Sequence, residues 1–141
     1  MSGAIVASLQ AVERIYPGIG KQQAVHALGP IDLALRQGEF FSVVGPSGCG
    51  KSTLLDVLAG LSTTTRGEAR FEGRLLQAGV PEGVGVVFQE DSSFPWLNVR
   101  DNASFGLRRR GVAQSEVKRL VDEALAMVGL EAFAESYPAQ L

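Results

Sequence analysis

Between an apolar run and a stretch of helical periodicity lies Gly45-Pro46-Ser47-Gly48-Cys49-Gly50-Lys51-Ser52-Thr53, which fits the pattern G-x-x-x-x-G-K-[ST]. Few architectures accommodate such a segment. Its glycines let the backbone turn tightly and bring N–H groups up to an anion. It also needs a strand leading in and a helix leading out, with the positive end of that helix facing the same anion. Both are written in the chain. Glu39-Phe40-Phe41-Ser42-Val43-Val44 predicts a short strand buried on both faces, and Leu54, Leu55, Val57, Leu58 and Leu61 recur at helical spacing. Residues 45–53 therefore predict a cradle for a polyphosphate tail. Lys51 supplies a mobile charge for the β- and γ-phosphates, and the Ser52 hydroxyl is placed to ligate Mg²⁺.

Bulk properties narrow the partners. The 141 residues, 45% of them apolar, suit one domain or one lobe of a larger one. A formal net charge of −2 offers no overall basic character for nucleic acid or anionic lipid, so no nucleic-acid partner is expected. Arg108-Arg109-Arg110 is the one dense basic cluster, and it falls where cations complement the end of a helix. The single cysteine, Cys49, excludes an internal disulfide and a cysteine-rich zinc site; inside the loop it reads either as a reactive thiol or as small filler. The single histidine, His26, reads as a surface or packing residue. No run of apolar residues is long enough to span a bilayer, and the start resembles no export signal, so the chain reads as cytosolic.

Ile5 to Tyr16 carries strand-like patches and ends at the turn signal Tyr16-Pro17-Gly18-Ile19-Gly20. The alternation Ile31, Leu33, Leu35 predicts a half-buried second strand, which Gln37-Gly38 turns into the Glu39–Val44 run. These early strands suggest an antiparallel addition to a parallel core. The helix after the loop is expected to end near Gly60-Leu61. Glu68–Phe71 and Arg74–Leu76 predict a hairpin about Glu72-Gly73, and Val84–Phe88 a second buried strand. Asn98 is placed to cap a helix from Val99 to Gly111, with Asp101 in its first turn. A last amphipathic helix starts at Gln114 or Ser115, gathers Val117, Leu120, Val121, Ala124, Leu125 and Val128 on one face, and stops at Gly129.

With the loop and these elements in place, the chain resembles the ATP-binding subunit of ABC transporters, closest to the nitrate/sulfonate/taurine importer branch. The resemblance is carried by Tyr16, Gly38-Glu39-Phe40, the 45–53 loop, Gly60-Leu61, Gly67-Glu68 and Val87-Phe88-Gln89. Pro95-Trp96-Leu97-Asn98-Val99 with Asp101-Asn102 is the part most like that branch, and Tyr137-Pro138-Ala139-Gln140-Leu141 looks like the approach to the family's signature sequence. The resemblance implies an α/β fold: a P-loop NTPase core with a partial parallel sheet and flanking helices, N-terminal antiparallel strands, and the start of a helical lobe. It places the β region and nucleotide-binding core at residues 1–90 and the helical lobe at 91–141. It implies ATP and Mg²⁺ as cofactors, held by Tyr16, Gly45, Pro46, Ser47, Gly48, Cys49, Gly50, Lys51, Ser52 and Thr53. Tyr16 would stack on adenine, the alternative being a strand-end ring packed on the sheet. Gln89 would meet the Mg²⁺, with Ser52, and the attacking water; its role and the catalytic role of Lys51 come from the resemblance.

The implied partners are a transmembrane permease subunit, met through Gln89–Leu107, a second ATP-binding subunit in a homodimer, and indirectly a periplasmic solute-binding protein. Phe94 and Trp96 are either anchors for the permease or plugs of the lobe's own core. The implied location is cytoplasmic, peripheral on the inner face of the cell membrane. The resemblance would next require Ser-Gly-Gly, then a strand ending in a Mg²⁺-binding Asp, a catalytic Glu and a switch His. The chain is accordingly expected to be the N-terminal portion of a longer subunit and to hydrolyse ATP poorly alone. Asp122-Glu123 lies within an amphipathic helix and does not replace that acidic strand; Glu90-Asp91 would serve only in a different P-loop architecture. A small-molecule kinase, a GTPase and a non-catalytic nucleotide-binding module are the competing readings. The first would need a basic lid, for which only Arg108–Arg110 offers material, and the second an Asn-Lys-x-Asp that the chain lacks.

Overall fold

The computed structural model describes residues 3–18, 20, 23–89 and 92–141; Ile19 of the first turn signal and the Glu90-Asp91 pair lie outside them. The chain divides into two compact units, Met1–Val86 and Val87–Leu141.

The first unit is an antiparallel sheet with one helix packed on it. Its strands are β1 (Ile5–Tyr16), β2 (Val25–Arg36), β3 (Arg66–Phe71) and β4 (Arg74–Leu75), in the spatial order β2-β1-β3-β4. Helix α1 spans Lys51–Leu58. Leu9 sits opposite Leu33 on one side and Ala69 on the other, so β1 is the central strand that both neighbours read. Leu9, Val12, Leu28 and Ala69 from the sheet close on Leu54 and Val57 of α1, with Ile31, Leu33, Val43, Leu58 and Leu76 around them. Burying each such aliphatic side chain stabilises the fold by roughly 1.5–3 kcal/mol, which is what presses α1 onto the sheet. The alternation read in β2 is present: Ile31, Leu33 and Leu35 are half-buried while Asp32 and Ala34 face water. β3 and β4 join through Glu72 and Gly73, both at positive φ (48° and 75°), as a two-residue hairpin turn requires.

Two expected strands are not formed. Neither Glu39–Val44 nor Val84–Phe88 pairs with any strand among the described residues, and every ladder present is antiparallel. Phe40 and Val44 are 93% and 91% exposed, and Val87 is 99% exposed. The physical reason is that an apolar run becomes a strand only when a neighbour satisfies its backbone N–H and C=O groups. Apolar composition marks these runs as suited to a buried sheet without supplying that neighbour. The α/β class stands, with the sheet antiparallel rather than parallel.

The second unit pairs α2 (Val99–Arg109) with α3 (Gln114–Met127), followed by short 3₁₀ turns at Glu131–Phe133 and Pro138–Gln140. Asn98 caps α2 as its sequence position requires: its side-chain oxygen accepts from the Asp101 N–H at 2.7 Å. Gly111 (φ 74°) and Gly129 (φ 72°) end the two helices in the left-handed conformation. Val117, Val121 and Leu125 are buried against Val99 and Ala134, whereas Ala124 and Val128, expected on the same face, are exposed. The buried stripe is therefore narrower than the apolar one.

Ion pairs lace the outside of this unit. Arg100 of α2 donates to Asp122 of α3 and, at 2.9 Å, to Glu135 beyond α3. Those two carboxylates raise the Arg100 pKa, Asp122 first, and the Arg100 guanidinium in turn holds Asp122 below its ordinary value. Arg119 does the same for Glu116. Depressed carboxylate pKa values stabilise the folded unit above the ordinary carboxylate range, and that contribution is lost as pH falls through the folded values. Trp96 fluorescence melts should therefore shift to lower temperature as pH drops below about 4.5, and less steeply in Arg119→Ala. A melting point unchanged between pH 6 and pH 3 would exclude these pairs as contributors. Asp122 and Glu123, each engaged by an arginine or lysine, form no separate acidic site.

Candidate functional site

The 45–53 loop lies in the first unit and closes on itself through Lys51. Its Nζ donates to the Gly45 carbonyl at 2.9 Å and to the Pro46 carbonyl at 2.7 Å, with Cys49 Sγ 3.7 Å away. The ammonium thus reaches back from the end of the loop to the carbonyls at its start. The Cys49 N–H donates back to the Pro46 carbonyl at 3.4 Å. A Cβ built on Gly45 would lie 2.8 Å from Cys49 Sγ, so the sulfur fills the space that a side chain at Gly45 would need. That geometry fits the filler reading of Cys49.

Gly50 is the joint between loop and helix. It caps α1 in the left-handed conformation (φ 98°), and a Cβ there would meet the Ala27 carbonyl of β2 at 2.5 Å. Only glycine lets the loop backbone approach β2 so closely. No side chain caps α1, and its first turn contains no acid. The first-turn N–H groups have no acceptor inside the helix. A helix start of this kind, with Lys51 as its first residue, is suited to an anion. A cleft of about 210 Å³ lies alongside, lined by Gly48 and Cys49 of the loop and by His26, Ala27, Leu28 and Gly29 of β2. His26, expected as a surface or packing residue, is exposed on β2 with Nε2 3.4 Å from Glu13 Oε2.

Tyr16, at the end of β1 opposite Val25, is half-buried, and the Arg14 guanidinium lies over its ring at 4.5 Å from the centroid. The Arg14 contact was not legible as a motif; the only trace in the sequence is the spacing of two along a strand. Ser52 is exposed in the first turn of α1. Gln89 is exposed and lies in the second unit. Among the described residues no group of three or more His, Cys, Asp or Glu could hold a metal. The Ser47, Ser52 and Thr53 hydroxyls of the loop are hard oxygen donors, a chemistry that suits a hard cation keeping most of its ligands as water.

In the second unit Phe94, Trp96 and Phe105 form an aromatic group, with ring centroids 5.5 Å and 4.6 Å from Phe94. Asn102 fastens the segment before α2: it accepts from the Phe94 N–H at 2.7 Å and donates to the Phe94 and Leu97 carbonyls. Trp96 is left 70% exposed. No helix among the described residues is long and apolar enough to cross a membrane.

The fold and the loop together define an α/β unit whose glycine-rich loop is closed by a lysine at the start of a helix. Residues 28–141 match the family model for ABC transporters, and the chain belongs to that family. It is similar to the taurine import ATP-binding protein TauB of Pseudomonas aeruginosa, 42% identical over 133 residues, covering 94% of this chain and 49% of that protein. It is also similar to the bicarbonate transport ATP-binding protein CmpC of Synechococcus elongatus, 41% identical over 136 residues, 95% of this chain and 20% of that one. The spermidine/putrescine import ATP-binding protein PotA of Frankia alni is 46% identical over 121 residues, 84% of this chain and 26% of that protein. Among solved structures, the dimeric ATP-binding cassette MJ0796 bound to ADP and Pi matches with TM-score 0.82 at 29% identity, over 96% of this chain and 62% of that one. The chain thus spans about half the length of TauB.

Proposed function

We propose that this chain contributes the ATP-binding core of an ABC importer subunit, coupling ATP binding and hydrolysis to uptake of a small anion. The observation that carries this is Lys51, its ammonium held by the Gly45 and Pro46 carbonyls at the mouth of α1. The triphosphate would lie across the loop N–H groups, with Lys51 at the β- and γ-phosphates and the adenine on Tyr16. Mg²⁺, when bound, supplies charge neutralisation between phosphate oxygens; Ser52 Oγ would hold it, and Gln89 would join it and orient the water.

A second copy would complete a dimer, a reading supported by the likeness to MJ0796, a bacterial ABC transporter cassette whose solved structure is dimeric. The exposed Trp96 ring, backed by Phe94 and Phe105, fits the aromatic anchor that an interface with a permease favours, within Gln89–Leu107. That docking would hold the chain on the cytoplasmic face of the membrane, where a solute-binding protein meets it only through the permease. The names of TauB and CmpC, a taurine and a bicarbonate transport protein, support a small zwitterionic or anionic cargo, while that of PotA names the polyamines spermidine and putrescine. The solute would never touch this chain.

Equilibrium titration with labelled ATP and Mg²⁺ should saturate, and GTP should compete with only modestly weaker affinity, because a stacked base needs no matching hydrogen bonds. Failure to saturate at millimolar nucleotide, or a strong preference for GTP, would overturn the proposal.

A further inference from the structure

We propose that Arg14 is a positioning residue for the nucleotide base, acting through Tyr16; this rests on the reading of Tyr16 as the adenine platform. Arg14 and Tyr16 stand two apart on β1, and the guanidinium carbon lies 4.5 Å from the ring centroid, within cation–π range. Arg14 does little else that would explain its pose. Its Nη1 reaches Thr63 Oγ1 at a long 3.4 Å, and its Nε is buried without a hydrogen-bond partner. A buried unpaired donor is unfavourable, so a compensating contact must hold the side chain there, and the Tyr16 ring face is that contact.

The backbone fixes both residues. β1 is irregular on either side of Arg14, with register shifts between Val12 and Arg14 and between Arg14 and Ile15. The segment leading into β3 clasps this irregularity. The Thr65 N–H donates to the Glu13 carbonyl at 2.8 Å, and Thr65 Oγ1 accepts from the Ile15 N–H at 2.9 Å and donates to the Ile15 carbonyl at 3.2 Å. Arg14 can cover only one face of the ring. It thereby holds the ring in one orientation and draws electron density toward the covered side, leaving the opposite face to stack on a purine. Arg14 makes no contact with the base or the phosphates in this scheme.

The test compares binding of ATP and of inorganic tripolyphosphate, each with Mg²⁺, to the full chain and to Arg14→Ala, Arg14→Lys, Tyr16→Ala and the Arg14→Ala/Tyr16→Ala pair. Arg14→Ala should weaken ATP about three- to ten-fold while leaving tripolyphosphate within about two-fold. Arg14→Lys, which keeps a cation over the ring, should recover most of that loss. In the Tyr16→Ala background, adding Arg14→Ala should change nothing further. If Arg14→Ala leaves ATP affinity intact while Tyr16→Ala reduces it, the positioning role is refuted and the platform survives. Equal loss for ATP and tripolyphosphate would show a general distortion and also refute it. Unchanged ATP affinity in Tyr16→Ala would remove the platform itself, and the role of Arg14 with it.

Discussion

Lys51→Ala should lose about a hundred-fold or more in affinity for ATP and keep its melting temperature within a few degrees. The two halves of this result come from one geometry. In the free protein, Lys51 donates to two loop carbonyls, and both of those hydrogen bonds are solvent-exposed. Water can replace an exposed donor at little cost, so the fold hardly registers the loss. Bound triphosphate differs, because it brings several negative charges against a site whose only fixed side-chain cation among residues 45–53 is Lys51. Charge-assisted hydrogen bonds there are strong, and removing their donor leaves desolvated phosphate oxygens unpaired. Lys51→Arg should fall between the two, since a planar guanidinium cannot reproduce a compact ammonium held by two carbonyls. Calorimetric titration beside a thermal melt separates binding from folding. An affinity within three-fold of the parent chain would remove Lys51 from the site.

Gly50→Ala should destabilise the first unit by about 2–4 kcal/mol and abolish triphosphate binding, while Gly48→Ala should cost only about 1 kcal/mol. Both glycines lie at positive φ, 98° and 79°, where a Cβ is strained by about 1–2 kcal/mol. They differ in their surroundings. A Cβ on Gly48 meets nothing within 4 Å, but one on Gly50 runs into the Ala27 carbonyl at 2.5 Å. That carbonyl belongs to a sheet strand and cannot yield easily, so α1 must move away from β2 and partly withdraw Leu54 and Val57 from the core. In a unit of this size each kcal/mol lowers the melting temperature by about 4–8 °C, so the two variants should be separable by calorimetry. Equal melting temperatures for both would show that contact with β2 does not constrain the loop.

The elements visible in the sequence are those whose physics is local. Asn98 marks the start of α2 because an uncapped helix leaves N–H groups unpaired, and the cap needs only residues three apart. The β3–β4 turn at Glu72-Gly73, the helix stops at Gly111 and Gly129, and the alternation of Ile31, Leu33 and Leu35 are local in the same sense. Glu39–Val44 and Val84–Phe88 misled for the opposite reason. Their composition reports a preference for a buried sheet, but forming one takes a partner strand, and no local pattern contains that information.

The candidate site divides along the same line. Its chemistry was legible in the loop because eight adjacent residues carry the glycines, the cation and the hydroxyl together. The side-chain poses were not. That Lys51 folds back onto Gly45 and Pro46, that Cys49 fills the space beside Gly45, and that Arg14 lies on Tyr16 depend on which rotamer each side chain takes, and a string of residues does not specify it.

By itself, then, the sequence determined a glycine-rich loop leading into a helix, the helix caps, and the antiparallel character of the first two strands. Each of these follows from turns, charges and periodicities spanning a few residues. Only the tertiary structure decided the order β2-β1-β3-β4, which places β1 between its sequence neighbour β2 and the distant β3, and the seating of Gly50 against β2. Such contacts depend on which surfaces pack once the chain is compact, and that competition is decided by burial and backbone pairing across the whole unit.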